Sequence, residues 1–471
     1  MIPMAVDLVE AYRQKVLSPV EATQAALEAI GRFDDHVNAF VLVDTEGALA
    51  AAKASEARWH AGEPLGPGDG VPTSIKDALW TRGWPTLRGS TLIDEAGPWE
   101  EDAPSVARLR ETGAVILGKT TTPEYSWKGV TDSFRHGVTR NPWDPGTTSG
   151  GSSGGSASAV ALGMGPWSVG TDGGGSVRIP AAFTGTVALK PTYGLVAHYP
   201  ASAFGSLSHV GPMTRSVRDC AALLDLISGF DARDCTAMPT PTTSFLDGVE
   251  AGVDAGVAGL RITFSSNLGF VRNDPKVDAA VRAAVDVIAS AGAEVDEVDP
   301  GFADPVEAFH VLWFSGEAHV LRAYGAAVDD RVDPGLRRTA AAGAAYSAAD
   351  YLDATAVRME LGVLMGRFHR NYDVLLTPTL PLPAFPAGQD VPDGWNSPDW
   401  TSWTPYTYPF NLTQQPALSV PCGFTPAGLP IGLQVVGPRH ADALVLRVGQ
   451  AYQSATDWHL STPALLTEEV R

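Results

Sequence analysis

The chain has 471 residues, 44% hydrophobic and 18% charged, a balance that suits a globular protein with a large core and excludes a disordered one. Lys and Arg number 33 against 53 Asp and Glu, a formal net charge of -20; this speaks against a nucleic-acid surface, because such binding draws on cations that neutralise phosphates. Three cysteines without CxxC spacing, Cys220, Cys235 and Cys422, support neither a disulfide framework nor a zinc site.

The amino-terminal stretch lacks a basic region followed by an apolar one, and no later run reaches the ~18 apolar residues that span a bilayer, so a cytoplasmic location is expected. Ser18-Pro19-Val20-Glu21 spells a capping box with proline at the first helical position, which predicts a helix to about Ile30. An Ala-rich helix over 45–60 and a Gly/Pro-rich loop over 62–70 follow. Val71 to Asp77 then places Lys76 at the end of a short strand, where α/β proteins carry functional groups.

Residues 106–112 read as helix, 114–117 as strand, and 156–162 as a small-residue segment fit for close helix packing. The Pro/Thr-rich stretch 239–243 marks an excursion from the main body, near 232–260, without marking a domain boundary. Residues 260–264 read as strand. Asp274-Pro275 opens a helix with Val277, Val281, Val285 and Ile288 at helical spacing, Gly292 ends it, and 294–298 resumes as strand. Residues 300–370 are expected to be helical. The alternation favours one sheet covered by helices over separate modules.

Two glycine-serine segments stand out, 150–156 (GGSSGGS) and 170–178 (GTDGGGSVR). The first has the composition of a flexible linker. The second lies between Trp167-Ser168-Val169 and Ile179-Pro180-Ala181-Ala182-Phe183, elements that want burial. Consecutive glycines leave backbone N–H groups free to face an anion, as an oxyanion hole requires. A serine nucleophile also needs a base. His136, His198 and His209 are near in sequence, but none adjoins a glycine-rich turn, and surface or packing roles are expected for them. Burial can hold a lysine neutral near the working pH, which makes Lys76 the better candidate.

The strand-borne lysine and the two glycine-serine motifs, in this order and with Ser152 and Ser176 separated by 176 − 152 = 24 positions, resemble the amidase signature family. Gly118-Lys119-Thr120, Asn141-Pro142-Trp143, Leu189-Lys190-Pro191-Thr192, Gly211-Pro212-Met213, residues 411–421 and Gly428-Leu429-Pro430 extend the resemblance over nearly the whole chain. It implies a single amidase domain over 1–471 with an α/β fold: a large mixed β-sheet core covered by helices on both faces. It implies Ser176 as nucleophile, Ser152 as bridging hydroxyl on a cis Gly151–Ser152 peptide, and Lys76 as base. The amides of Gly173, Gly174, Gly175 and Ser176 would form the oxyanion hole, with Ser153, Asp172 and Arg178 fixing the loop and the lysine. The family often carries a larger residue at the position of Gly173, so a looser loop is expected here.

Ser126 aligns near the family's acyl pocket, and Tyr125 and Trp127 beside it are candidate substrate-binding residues. Trp395, Trp400, Trp403, Tyr406 and Tyr408 crowd the stretch before Asn411, where core packing and lining of the cleft are equally good readings. Residues 113–120 satisfy the Walker A spelling, but their apolar interior reads as strand; residues 151–155 fit G-x-S-x-G, but a polar, proline-broken stretch precedes them. No HExxH or His/Cys ligand pattern occurs, so neither metal nor cofactor is expected.

The expected activity is hydrolysis of linear carboxylic amides through an acyl-enzyme on Ser176, with hydrophobic or aryl groups preferred and ester or carbamate cleavage as a side activity. The expected partner is a small-molecule amide, with neither nucleic acid nor membrane; a homodimer is left open. The alternative is a glutaminase-type A subunit of a tRNA-dependent amidotransferase. Holding a free amino acid calls for charged groups, and residues 404–413 contain none, which disfavours that reading. A catalytically silent binding protein is the third reading, against which all three catalytic residue types argue.

Overall fold

The computed structural model describes residues 3–325 and 330–466. In chain order its strands are β1 (Phe40–Val43), β2 (Pro72–Lys76), β3 (Val115–Thr120), β4 (Asp132–Ser133), β5 (Gly137–Val138), β6 (Trp167–Asp172), β7 (Val187–Lys190), β8 (His209–Thr214), β9 (Arg261–Phe264), β10 (Glu294–Glu297), β11 (Val374–Pro378), β12 (Ala417–Phe424) and β13 (Pro430–Val436). Eleven form one mixed sheet in the order β1-β3-β2-β6-β8-β7-β12-β13-β11-β9-β10, and β4 with β5 forms a separate ribbon.

Parallel pairing is confined to two regions. β2 runs parallel to both β3 and β6, and β9 runs parallel to β10 and β11. The strands between β6 and β11 alternate in direction. Parallel neighbours need long crossovers, usually helical, and these cover the sheet faces; accordingly every residue of β2 and β6 is buried. The edge strand β10, with sequence EVDE, is largely exposed, and its charges discourage pairing with another chain.

The first predicted helix starts as expected and runs further. Ser18 Oγ accepts from the Glu21 N–H at 3.1 Å and Glu21 Oε2 accepts from the Ser18 N–H at 2.8 Å, but Pro19–Val37 is continuous and ends at Asn38, φ 53°. Buried Phe33 and Val37 carry its apolar stripe past Ile30. The excursion rejoins the body, because its helix Phe245–Ala255 packs on Val217–Ile227 and Asp442–Ser454. The later helical segment consists of Val306–Arg322, Pro334–Ala345 and Ala348–Phe368.

The interior divides by composition. Aliphatic side chains from β2, β6, β9 and β11–β13 dominate one core, and a second is rich in aromatics, including Trp127, Phe183, Phe309, Trp313, Trp400, Trp403, Tyr406 and Tyr408. Residues of the Walker A spelling form β3, and Lys119 is buried, paired with Asp77 at 3.1 Å and bonded to the Leu79 carbonyl at 3.1 Å. Cys220 and Cys422 are buried, and Cys235 is exposed. Among the described residues no helix is long and apolar enough to cross a membrane.

Candidate active site

Parallel β2 and β6 are direct neighbours with Ile75 opposite Val169, so their carboxyl ends open on the same side of the sheet. Lys76 ends β2. Its Nζ lies 2.7 Å from Ser152 Oγ and 2.8 Å from Thr171 Oγ1, and the residue is fully buried. Burial drives the lysine pKa well below its usual range, and the charge of Asp172 only partly opposes this. The side chain lies between two hydroxyls, where burial favours the neutral amine.

Ser152 follows a cis Gly151–Ser152 peptide in the turn that enters the helix Gly154–Ala161. That helix approaches the neighbouring chain closely: a Cβ on Gly155 would lie 2.5 Å from the Ala39 carbonyl oxygen. Ser153 ties the two motifs together. Its Oγ donates to the Thr171 carbonyl at 3.1 Å, and its N–H donates to the Ser176 carbonyl at 3.1 Å.

The loop after β6 is fixed by one buried ion pair. Arg178 spends all five guanidinium N–H groups: Nε and Nη2 donate to Asp172 at 3.0 Å each, Nη2 also to Asn411 Oδ1 at 2.7 Å, and Nη1 to the Thr407 carbonyl at 3.0 Å and to Gln434 Oε1 at 2.8 Å. Burial alone would raise the Asp172 pKa, but Arg178 overrides it and holds the carboxyl well below the usual range. The ionised Asp172 in turn accepts from the Gly175 N–H at 2.8 Å and the Val177 N–H at 3.2 Å.

That bond corrects one expectation. The Gly175 N–H, expected to face an oxyanion, is donated to Asp172, because the carboxylate that anchors the loop reaches it first. The N–H groups of Gly173, Gly174 and Ser176 make no hydrogen bond among the described residues. Ser176 is 4% exposed, and its hydroxyl likewise has no hydrogen-bond partner among them.

The loop is not loose at Gly173 either. A Cβ there would lie 2.7 Å from Trp313 Cζ3, and one on Gly174 would lie 2.7 Å from Trp400 Cη2 and 2.9 Å from Phe309 Cζ. An indole fills the space that a side chain would occupy. Trp313 stacks on Phe204, with ring centres 3.7 Å apart, and on Phe309 at 5.3 Å, and Phe309 meets Trp400 edge to face.

The remaining candidates separate. Tyr125 and Ser126 lie in a tight turn at φ 49° and 61°; Tyr125 Oη donates to Tyr324 Oη at 2.7 Å, and Ser126 Oγ is 3.0 Å from Thr122 Oγ1. Trp127 is 2% exposed in the aromatic core, and its carbonyl accepts from Trp313 Nε1 at 3.1 Å. His209 is buried, with Nδ1 2.8 Å from the Leu207 carbonyl, and neither it, His136 nor His198 bonds to Ser152 or Ser176 among the described contacts. Of the five late aromatics Trp400 meets the glycine loop. Trp403 stacks on Phe183, Tyr406 Oη donates to the Ser266 carbonyl, Tyr408 Oη donates to Asp304, and Trp395 Nε1 donates to Ser402.

A family model described as Amidase matches residues 21–446. The chain belongs to the amidase signature family. Among amidase signature structures it resembles a bacterial aryl acylamidase with a TM-score of 0.89 and 29% identity, covering 98% of this chain and 97% of that one. It also resembles 6-aminohexanoate cyclic dimer hydrolase, TM-score 0.88 and 28% identity over 98% and 99% of the two chains. The A subunit of the glutamyl-tRNA(Gln) amidotransferase of Roseiflexus sp. (strain RS-1) is 38% identical, covering 98% of each chain. The structure of its counterpart from Thermotoga maritima gives a TM-score of 0.75 with 32% identity, over 95% of this chain and 94% of that one.

Within this amidase signature chain, sequence reasoning missed Thr171, Phe309, Trp313 and Gln434. Thr171 stood inside the quoted G-T-D motif, one residue before the aspartate, and was the findable one. Phe309 and Trp313 are four apart on a helix, a spacing that reads as core. Only the fold brings them to the glycine loop.

Proposed function

We propose that the chain works as one amidase domain over 1–471, hydrolysing carboxylic amides through an acyl-enzyme on Ser176. The observation that carries this reading is the 2.7 Å hydrogen bond between the buried Lys76 and Ser152, on a turn tied by its backbone to Ser176. Ser176 Oγ attacks the carbonyl carbon. Its proton passes to Ser152 Oγ while the Ser152 proton passes to Lys76 Nζ, the neutral amine being the ultimate base.

The negative charge on the carbonyl oxygen meets the N–H groups of Gly173, Gly174 and Ser176, which need no reorganisation to receive it. The C–N bond then breaks, the nitrogen taking the proton back from Lys76 through Ser152. Water releases the acyl group by the same relay in reverse. Asp172 and Arg178 act by holding the glycine loop in place, and Ser153 by joining the two serine-bearing turns.

Phe309, Trp313 and Trp400 cover the Gly173–Gly174 side of the loop, which favours an aryl or otherwise hydrophobic group next to the scissile bond. A second reading, the glutaminase-type component of a tRNA-dependent amidotransferase, is supported by the 38% identity to such a protein from Roseiflexus. The closer structural match to the aryl acylamidase weighs the other way, as does the charge-free stretch 404–413. Hydrolysis of anilides and benzamide against hydrolysis of glutamine separates them, and a fluorophosphonate adduct on Ser176 that is lost in Ser176→Ala tests the nucleophile. Labelling that survives Ser176→Ala would refute the assignment.

A further inference from the structure

Arg88 is pinned beside the catalytic lysine by its backbone. Its N–H donates at 3.1 Å to the carbonyl of Asp77, the residue after Lys76, and its own carbonyl accepts from the Tyr125 N–H at 2.7 Å. Its φ is 51°, a left-handed conformation that residues with a side chain seldom adopt. The half-buried side chain makes no hydrogen bond or ion pair with any described residue.

Neither flanking carboxylate hydrogen-bonds it, although the charge of Asp77 acts on it. Asp77 Oδ1 holds Lys119 at 3.1 Å and the Leu87 N–H at 3.2 Å, while its Oδ2 is buried without a donor. Glu124 accepts from Ser90 Oγ at 2.6 Å and from the Asp333 N–H at 2.8 Å. Tyr125, whose N–H bonds the Arg88 carbonyl, is joined through its phenol to that of Tyr324 at 2.7 Å, and both phenols act electrostatically on Arg88. The backbone bond to Asp77 sets Arg88 at the carboxyl end of β2, the end that carries Lys76. A guanidinium keeps its charge in proteins, and one held partly out of water is completed by an anion.

We propose that Arg88, flanked by the phenols of Tyr125 and Tyr324, is a carboxylate-binding subsite, so that the preferred substrates are amides bearing a carboxylate group. This rests on the amidase reading above and narrows it: one part of the substrate lies against the aromatics, and an anionic end reaches the planar fork of Arg88. Amic acids and N-acylated aminocarboxylic acids have this chemistry.

Two matched pairs test it with the full-length protein: succinanilate against butyranilide, which places the carboxylate on the acyl side, and 4-acetamidobenzoate against acetanilide, which places it on the amine side. At least one pair should favour the acid in kcat/KM by about 10- to 100-fold, the range for a charge-assisted hydrogen bond. Arg88→Gln should collapse that ratio mainly through KM, and Arg88→Lys should restore part of it. Arg88→Gly, which tolerates the left-handed backbone, serves if the glutamine variant fails to fold. No preference in either pair, or equal losses on both members, overturns the subsite.

Binding of the same acids to Ser176→Ala, with and without Arg88→Gln, reads the subsite without turnover. Absence of hydrolysis of every pair by the wild type would count against the amidase reading alone, while Arg88-dependent binding would still support the subsite. Arg88-dependent glutamine hydrolysis would likewise support it and move the reaction to the glutaminase reading.

Discussion

The pKa of Lys76 falls well below its usual range because burial removes the hydration an ammonium needs, and the nearby anion, Asp172, is already engaged by Arg178. Two expectations follow. Lys76→Ala should lower kcat by about 10²- to 10⁴-fold, and the ascending limb of the wild-type pH–rate profile should sit well below the usual lysine value of 10.5. The unfolded chain binds a proton at this lysine that the folded chain does not, so below 10.5 wild-type stability rises with pH through this group. The Tm of the wild type minus that of Lys76→Met should therefore grow from pH 6 to pH 9; a flat difference would mean a protonated lysine in the fold. At Gly173, a valine would drive its Cβ into Trp313, and loss of one oxyanion donor commonly costs about 10²- to 10³-fold in kcat. Gly173→Val should show such a loss, with partial recovery when Trp313→Ala is added. The meeting of Lys76 with Ser152 was legible in sequence because each sits in a compact motif. The commitment of the Gly175 N–H to Asp172 was not, because it depends on how the loop folds back after β6.

The helices were readable wherever their signals are local. Ser18, Pro19 and Glu21 announce a start that the structure keeps, and Ser18→Ala should destabilise the protein by about 1 kcal/mol in urea unfolding while leaving turnover alone. The end was misjudged because Arg32, Asp34 and Asp35 suggest a polar stop, whereas the spacing from Phe33 to Val37 keeps one face buried. β3 runs past its predicted end for a related reason: Lys119 looks like a surface residue, yet Asp77 and neighbouring carbonyls receive it inside. On the helix Val306–Arg322, Glu317 is 1% exposed and neither carboxyl oxygen reaches a hydrogen-bond partner, although Thr339 and Trp313 lie beside it. Burial raises its pKa well above 4.5, so the folded state holds a proton the unfolded state gives up, and stability through this group falls as pH rises above that value. Glu317→Gln should gain Tm relative to the wild type between pH 5 and pH 8, in a thermal melt series; an unchanging difference would mean the carboxyl is ionised throughout.

Alternating helix and strand patterns predicted one helix-covered sheet, and eleven strands in one mixed sheet answer it. Strand order lay beyond reach, because β6 pairing with β8, and β7 with β12, are contacts between distant segments that no local pattern encodes. The same distance decides a test. Residues 1–230 contain Lys76, Ser152 and Ser176, but Arg178 is held by Thr407, Asn411 and Gln434. That fragment should fail to react with a fluorophosphonate under conditions where the full chain is labelled; a labelled fragment would mean the glycine loop needs no help from the later strands.

On the proposed mechanism the bond-breaking groups all come from a stretch of about a hundred residues, 76–178, whereas the rings above the glycine loop come from 309, 313 and 400. The aromatic part of selectivity is thus written in a different part of the chain from the chemistry. Grafting a different helix in place of Val306–Arg322, with Asn411 and Gln434 retained, offers a way to retune what is cleaved while preserving how it is cleaved.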